Sequence, residues 1–234
     1  MRIMVINPNS SQEMTQSIRE VLEGVKRSDT ELTVVRTVGA PPAIQSASDI
    51  AQAVPPMLEL VGKANDEGYD AVILACFSDP GLEAAREQSD ILVMGIEETT
   101  LHVAAMLGHK YTILTPLSKR IPSKEQDVRR FKAESAMASV RALDLTVTET
   151  EANPSRTKAR ILEVATRAVK EDGAEVIVLG CAGMTGYANG VEQQLGVVVL
   201  DPTTVTLKVC EGLIDIDLRH CKRALYAKVP HKDA

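Results

Sequence analysis

The chain is poor in aromatic residues and has no strongly basic segment. Aromatic residues make up 3% of its 234 residues, and tryptophan is absent. The hydrophobic core must therefore be built from aliphatic side chains. The formal net charge is −6 and no Lys/Arg cluster stands out. We expect no nucleic-acid partner, because such a partner requires a basic face.

Long apolar runs and secretory features are also missing. No run approaches the roughly 20 apolar residues that span a bilayer, so we expect no membrane association. At the N-terminus a short apolar stretch precedes Asn7-Pro8-Asn9, without the hydrophobic region or cleavage site of a signal peptide. We therefore expect a cytoplasmic protein whose thiols stay reduced.

Motifs for metals and nucleotides are lacking as well. The cysteines have no C-x-x-C spacing, and no His/Cys cluster resembles a zinc site. The sequence contains neither a G-x-G-x-x-G fingerprint nor a P-loop. We therefore predict no metal and no cofactor.

The most informative feature that is present is a pattern that occurs twice. Its copies are DAVILACFSDPG at positions 70–81 and EVIVLGCAGMTG at positions 175–186. In each copy an acidic residue and an apolar run lead to a small residue, a cysteine, and then small or polar residues. Cys76 and Cys181 lie 105 positions apart, and Pro8 and Pro116, which follow two other apolar runs, lie 108 apart. The similar offsets indicate a duplication into two lobes; chance similarity among strand–helix–strand units is the alternative.

Short β-branched runs alternate with amphipathic stretches along the chain. The predicted strands are Ile3–Ile6, Leu32–Arg36, Ala71–Ala75, Ile91–Met94, Tyr111–Leu114, Leu145–Thr148, Val176–Leu179 and Val197–Leu200. Runs that are apolar on both faces are typical of parallel strands covered by helices on both sides. We therefore predict an α/β fold of two pseudo-symmetric, doubly wound lobes with mostly parallel sheets. The first lobe comprises residues 1–96 plus 205–234, the second comprises residues 97–204, and the active site lies between them.

Capping residues predict several helix boundaries. A serine at Ser10-Ser11 begins one helix as its N-cap. Ser155 begins another, which ends at Asp172-Gly173. The spacing of Ile50, Val54, Leu58 and Val61 predicts a further helix, with Pro55-Pro56 near its first turns.

Cys76 and Cys181 are the predicted catalytic residues. Ligands of open α/β sheets bind just beyond the carboxyl ends of the strands, and both cysteines follow predicted strands. Each also precedes a predicted helix start, whose free N–H groups lower a thiol's pKa from its usual value of about 8.5. A thiolate there removes a proton and a thiol donates one. For either cysteine alone, a buried structural residue is the alternative.

Residues that follow the same strands are predicted to bind the substrate. The set is Asn9, Phe77, Ser78, Thr115, Ala182 and Gly183. Hydroxyl groups and the backbone N–H groups after the two cysteines would hold a carbonyl or enolate oxygen, and Asn9 would orient the ligand. Helix capping accounts for Ser78 equally well, and a turn accounts equally well for Asn9.

Three polar residues near these motifs are assigned structural roles. Asp79 is predicted to cap the helix that follows it. Glu98 either begins a helix as an acidic residue or binds a ligand N–H, and the first interpretation is preferred. His102, one helical turn beyond Glu98, is taken as structural.

Four motifs together resemble those of a known family. They are Ile6-Asn-Pro-Asn9 with Met14-Thr15, Ala75-Cys-Phe-Ser-Asp-Pro-Gly81, Gly95-Ile96 with Glu98, and Gly180-Cys-Ala-Gly-Met184. Over nearly its whole length the chain resembles the aspartate/glutamate racemase superfamily, within it the hydantoin and allantoin racemase branch. The resemblance implies a two-lobed α/β fold, cofactor-independent racemisation with one cysteine on each face of the substrate, and a homo-oligomer.

Departures from the family pattern bear on the substrate. Amino-acid racemases of the superfamily carry Asn-Thr and Thr-His after their cysteines, where this chain has Phe77-Ser78 and Ala182-Gly183. These differences argue against free glutamate or aspartate. Hydantoin-type members usually differ at Thr99-Thr100, Pro202 and Thr185-Gly186, which leaves the substrate side chain open.

We therefore expect a racemase that inverts the carbon next to a carbonyl in a 5-substituted hydantoin or allantoin, by two-cysteine, two-base proton transfer. Maleate isomerases of the superfamily also use a cysteine pair, with one cysteine adding to an alkene. Arylmalonate decarboxylases use only the second-lobe cysteine, and the presence of Cys76 argues against that activity. A two-lobed binding protein without turnover is the third possibility.

Overall fold

The computed structural model describes residues 1–228 of the chain. Its strands are β1 (Arg2–Asn7), β2 (Glu31–Arg36), β3 (Ala71–Leu74), β4 (Leu92–Gly95), β5 (Tyr111–Thr115), β6 (Met137–Ala142), β7 (Val176–Leu179) and β8 (Val198–Leu200). Its α-helices are α1 (Gln12–Val25), α2 (Ala47–Asp66), α3 (Leu82–Gln88), α4 (Ile96–Leu107), α5 (Ile121–Arg130), α6 (Val147–Ala152), α7 (Pro154–Asp172), α8 (Ala188–Leu195) and α9 (Pro202–Asp215).

The strands form two parallel four-stranded sheets with equivalent topology. The first sheet has the order β2-β1-β3-β4 and the second has the order β6-β5-β7-β8. Neighbouring strands are parallel in both sheets. The second order repeats the first with each strand number raised by four, so the internal repeat extends to the topology. The predicted α/β fold with two pseudo-symmetric lobes is confirmed.

The central strands explain where the loops of interest emerge. All residues of β3 and β7 are buried, as expected for parallel strands covered on both faces. Ile6 pairs with Leu74 in the first sheet, and Leu114 pairs with Leu179 in the second. The loops after β1 and β5 therefore emerge beside the loops that carry the two cysteines.

The largest hydrophobic cluster joins the two lobes. It includes Ile3 and Ile73 from the first sheet, Ile113 and Val178 from the second, and Cys210 from α9. Aliphatic side chains dominate it, as the low aromatic content requires. Within residues 1–228, no helix combines the length and apolar character needed to cross a bilayer.

One predicted strand is wrong. Leu145–Thr148 was expected to be a strand, but Thr146 is the N-cap of α6 and forms a capping box with Glu149. These local side-chain hydrogen bonds to the backbone outweigh the β propensity of the run. The edge strand is instead Met137–Ala142, whose residues are all half-buried. A half-buried edge strand with mixed polarity lacks the apolar run on which the strand predictions were based.

The predicted helices are present, with one shifted start. Ser11 caps α1 through its hydroxyl, as expected. Asn153, rather than Ser155, caps α7, which ends before Gly173 at a φ of 67°. The helix α2 runs through both Pro55 and Pro56.

The last helix, α9, contacts elements of both predicted lobes, since α4 lies almost entirely within residues 97–204. It packs against α1, α4, β3 and β4. Beyond it, Nε2 of His220 lies 3.0 Å from the nitrogen and 2.8 Å from the oxygen of Val93, at the free edge of β4. Residues 229–234 of the predicted first lobe lie outside the described residues.

Candidate active site

Both repeated cysteines line one cavity at the carboxyl ends of the two sheets. The cavity volume is about 520 Å³, including the part open to solvent. The wall from the first lobe includes Asn9, Met14, Ile44, Gln45, Cys76 and Phe77. The wall from the second includes Thr115, Leu117, Arg120, Val147, Cys181 and Ala182.

Cys76 lies in a tight turn and not directly at a helix start. Its carbonyl accepts hydrogen bonds from the N–H groups of Ser78 at 2.8 Å and Asp79 at 3.0 Å, and α3 begins only at Leu82. The hydroxyl of Ser78 lies 3.2 Å from the Cys76 sulfur. Ser78 does not line the cavity, and its N–H is engaged within the turn. Its hydroxyl contacts the thiol, and its predicted role as a substrate ligand stays a prediction.

Burial determines the protonation of Cys76. Desolvation raises the pKa of its thiol to about 11, although the Ser78 hydroxyl and the charge of Lys124 act in the opposite direction. The predicted lowering of the pKa is wrong for this cysteine, because the loss of hydration outweighs the favourable local contacts. At neutral pH Cys76 is a thiol, which is the form that donates a proton.

Cys181 precedes a short 3₁₀ turn, Ala182–Met184. The N–H of Gly183 donates to the Cys181 sulfur over 3.3 Å. Gly183 lines a neighbouring hollow together with Thr185, rather than the cavity itself. Its N–H already binds the cysteine, and its predicted role as a substrate ligand stays a prediction.

Two of the predicted backbone donors remain available. Phe77 and Ala182 both line the cavity. Within residues 1–228, their N–H groups have no hydrogen-bond acceptor in the protein. The two donors follow the two cysteines directly, so each lobe offers one donor beside its thiol.

Asn9 is held by a buried polar network at the end of β1. Its side-chain oxygen accepts from Nδ2 of Asn7 and from the N–H of Ser11, both at 2.9 Å. Its own Nδ2 lies 3.2 Å from the sulfur of Met14, and Asn7 also donates to Thr15 at 3.0 Å. Asn9 therefore reaches the cavity wall already oriented, as a ligand-positioning group requires. Sequence reasoning missed Asn7, whose signal is the Asn-Pro-Asn spacing.

The second lobe contributes further polar groups to the wall. Thr115 ends β5, and its hydroxyl has no hydrogen-bond partner within the described part of the chain. Gln45 and Arg120 also line the cavity. Sequence reasoning missed both residues, because no local pattern marks them.

Asp79 lies beneath the Cys76 turn and caps α4. Its carboxylate accepts from the N–H groups of Glu97 at 3.0 Å and Glu98 at 2.8 Å. Burial raises the pKa of Asp79 to about 7, while these two hydrogen bonds lower it. The prediction that Asp79 caps the following helix is wrong, because the turn directs its side chain to α4 and not to α3. Gly95 is required here, since a Cβ at that position would lie 2.3 Å from the carboxylate.

A buried ion pair lies against the same turn. Nζ of Lys124 is 2.8 Å from both carboxylate oxygens of Glu97, 3.0 Å from Asp127 and 2.6 Å from the carbonyl of Phe77. The Lys124 and Glu97 side chains are 2% and 0% exposed. Burial raises the pKa of Glu97 to about 8 against the effect of Lys124. Burial lowers the pKa of Lys124, but its carboxylate partners raise it by more. Sequence reasoning missed this pair, which joins residues far apart in the chain.

Glu98 and His102 have structural partners. Glu98 forms an ion pair with Arg86, which also contacts the hydroxyl of Tyr226 at 3.2 Å. His102 Nδ1 lies 2.8 Å from the carbonyl of Glu98. Neither residue lines the cavity, in agreement with the preferred interpretation of the sequence.

These features define a class of protein: two related α/β lobes that share a cavity suited to acid–base chemistry on a small molecule. The Asp/Glu/Hydantoin racemase family model matches residues 3–210. A hydantoin racemase of Pseudomonas sp. (strain NS671) is 35% identical over 232 residues, covering 99% of this chain and 93% of the relative. The structure of an allantoin racemase from Klebsiella pneumoniae has a TM-score of 0.96 and 33% identity, covering 99% of this chain and 95% of that one. The chain therefore belongs to the Asp/Glu/Hydantoin racemase family.

These similarities confirm the predicted superfamily and its hydantoin and allantoin racemase branch. They also confirm the prediction of an isomerase of the racemase class. A maleate isomerase structure from Pseudomonas putida S16 has a TM-score of 0.68 and 18% identity, covering 93% of each chain. That similarity shows a shared fold alone.

Proposed function

We propose that the protein is a cofactor-independent racemase that inverts the carbon next to a carbonyl in a 5-substituted hydantoin or in allantoin. The observation that carries this proposal is the single cavity lined by Cys76 from one lobe and Cys181 from the other. Inversion by two bases requires such a pair, because the proton leaves one face of the carbon and returns at the opposite face. Similarity to hydantoin and allantoin racemases supports the substrate class.

In the free enzyme Cys181 acts as the base and Cys76 as the acid. The Cys181 thiolate, supported by the N–H of Gly183, takes the α-proton, and the electron pair of the broken C–H bond moves onto the carbonyl oxygen as an enolate. The half-buried Cys76 thiol then donates its proton to the opposite face. After one turnover the two sulfurs have exchanged protonation states. The enzyme is then ready for the other enantiomer.

The enolate oxygen is stabilised by donors at the cavity wall. The N–H groups of Phe77 and Ala182 are the candidate donors, with the Thr115 hydroxyl as a third. Positioned acid–base groups contribute roughly 10²–10⁴-fold to a rate, so donors aimed at the developing charge supply much of the rest. Asn9 orients the ring.

The remaining wall fits a ring with a substituent. Ile44, Leu117 and Val147 provide apolar surface, and Gln45 and Arg120 provide polar groups. In this proposal the apolar residues contact the 5-substituent. The amide and the guanidinium bind carbonyl oxygens of the ring or of a ureido group.

The test is proton NMR in D₂O with both enantiomers of allantoin and a panel of 5-substituted hydantoins. We expect enzyme-dependent loss of the α-proton signal together with loss of optical rotation. A panel without any exchange would contradict the proposal. Turnover of maleate with a covalent cysteine adduct would then identify an isomerase, loss of CO₂ from arylmalonates a decarboxylase, and ligand binding without turnover a binding protein.

We further propose that the chain divides into a first lobe of residues 1–96 plus 205–234 and a second lobe of residues 97–204. We also propose that it forms a homo-oligomer and that it is located in the cytoplasm. The contacts of α9 with α1, β3 and β4 support the division, and α9 also packs against α4 of the second lobe. Exposed apolar side chains such as Met106, Leu107 and Ile216 offer surface for contact between copies. Within residues 1–228, Cys76, Cys210 and Cys221 form no disulfide, which fits a reducing compartment. Light scattering tests the oligomer.

A further inference from the structure

Lys124 connects the second lobe to the turn that carries Cys76. Its ammonium group is 2.6 Å from the carbonyl of Phe77 and 5.3 Å from the centre of the Phe77 ring. That carbonyl belongs to the peptide unit joining Phe77 to Ser78. The same unit positions the Ser78 hydroxyl 3.2 Å from the Cys76 sulfur. A single peptide unit therefore links the carbonyl that Lys124 contacts to Ser78, whose hydroxyl is the partner of the Cys76 thiol.

Charged groups from three elements face the Cys76 thiol. Lys124 on α5 lowers the thiol's pKa, as the Ser78 hydroxyl does, whereas Asp79 in the turn and Glu97 on α4 raise it. Cys181 and Arg120 are further polar groups in the wall of the same cavity. Two carboxylates offset the charge of the buried Lys124: Glu97 at 2.8 Å and Asp127 at 3.0 Å.

We propose that Lys124 is a positioning residue for Cys76: it anchors the Phe77–Ser78 peptide and supplies the positive charge that favours the Cys76 thiolate whenever this cysteine acts as the base. Glu97 limits how much of that charge the sulfur experiences. The inference rests on the proposed function, because it assumes proton transfer by Cys76. Its test reads the thiol directly and needs no substrate.

The test is the rate at which iodoacetamide alkylates Cys76 at about pH 9, measured on its peptide by mass spectrometry. Below the thiol's pKa this rate follows the thiolate fraction, which changes tenfold for each unit of pKa. We expect Lys124→Met to slow alkylation by about tenfold, since a nearby opposite charge shifts a pKa by about one unit or more. Glu97→Gln should accelerate it, because this change removes the buried carboxylate that raises the pKa of the Cys76 thiol. Lys124→Arg should restore most of the wild-type rate.

If Lys124→Met slows alkylation and Glu97→Gln accelerates it, the cause is electrostatic and not a loosened cavity. A loosened cavity would accelerate alkylation in both variants, and that result would overturn the proposal, as would equal rates in all proteins. If Lys124→Met does not fold, the double variant Lys124→Met/Glu97→Gln, which removes both members of the pair, is compared with Glu97→Gln alone. Slower alkylation in the double variant supports the proposal, and an equal or faster rate overturns it. The exposed Cys221 is the internal control, and its rate should not change.

Discussion

Replacing Gly95 by alanine tests the contact that joins the Cys76 turn to α4. Gly95 has a φ of −95°, which alanine adopts readily, so the backbone itself imposes no penalty. The added Cβ would instead lie 2.3 Å from Cγ and Oδ2 of Asp79 and 2.6 Å from Oδ1. Relief of these contacts requires a displacement of about 1 Å, since non-bonded heavy atoms prefer separations of about 3.5 Å.

Such a displacement would break the cap of α4. The hydrogen bonds from Glu97 and Glu98 to Asp79, now 3.0 and 2.8 Å long, would exceed hydrogen-bond range. Loss of an N-cap costs about 1 kcal/mol, and a buried unpaired N–H adds about 1–3 kcal/mol. We expect Gly95→Ala to destabilise the protein by about 2–4 kcal/mol, which lowers the Tm of a chain of this size by about 5–15 °C.

The assay is thermal unfolding together with racemisation, combined with a double-mutant cycle on Asp79→Ala. In the Asp79→Ala background the added methyl group has space, so Gly95→Ala should cost much less there. Gly62→Ala in α2 is the matched control: the nearest atom to its Cβ would be Nε2 of Gln88 at 3.8 Å. There we expect unchanged or increased stability, up to about 1 kcal/mol. An equal cost of Gly95→Ala with and without Asp79 would refute the reasoning.

Three further predictions concern the site and its pH dependence. Cys76→Ser and Cys181→Ser should each abolish racemisation while retaining α-proton exchange with at most one enantiomer; full racemisation by either variant would exclude the two-base mechanism. Thr115→Val should lower kcat by about 10²-fold if its hydroxyl holds the enolate oxygen, whereas Thr115→Ser should retain activity; unchanged kcat in the valine variant would remove Thr115 from the mechanism. Burial and the charge of Arg86 lower the pKa of His220 from 6.5 to about 4. The folded state therefore binds a proton at His220 less readily than the unfolded chain does. The free energy of unfolding then falls as the pH drops from 6.5 to about 4. His220→Asn should weaken that dependence in a melting series, and an unaltered dependence would contradict the assignment.

The sequence alone determined the repeated architecture and the place of the two cysteines in it. Duplication repeats the local sequence pattern. That local pattern is enough to predict buried parallel strands such as β3 and β7, which are apolar throughout. It is also enough to predict the cap at Ser11 and the helix end at Gly173, since both depend on neighbouring residues. Local order failed at Thr146, where a capping box and a β-branched run occupy the same residues.

The tertiary structure alone decided the environment of the thiols. Asp79 caps α4 instead of the helix next to it, and Lys124 reaches the carbonyl of Phe77 from 47 positions away. Burial raises the pKa of Cys76 where the expected helix start would have lowered it. Desolvation and long-range pairing are properties of the packed fold, because they depend on which distant elements exclude water from a group. No local stretch of sequence contains that information.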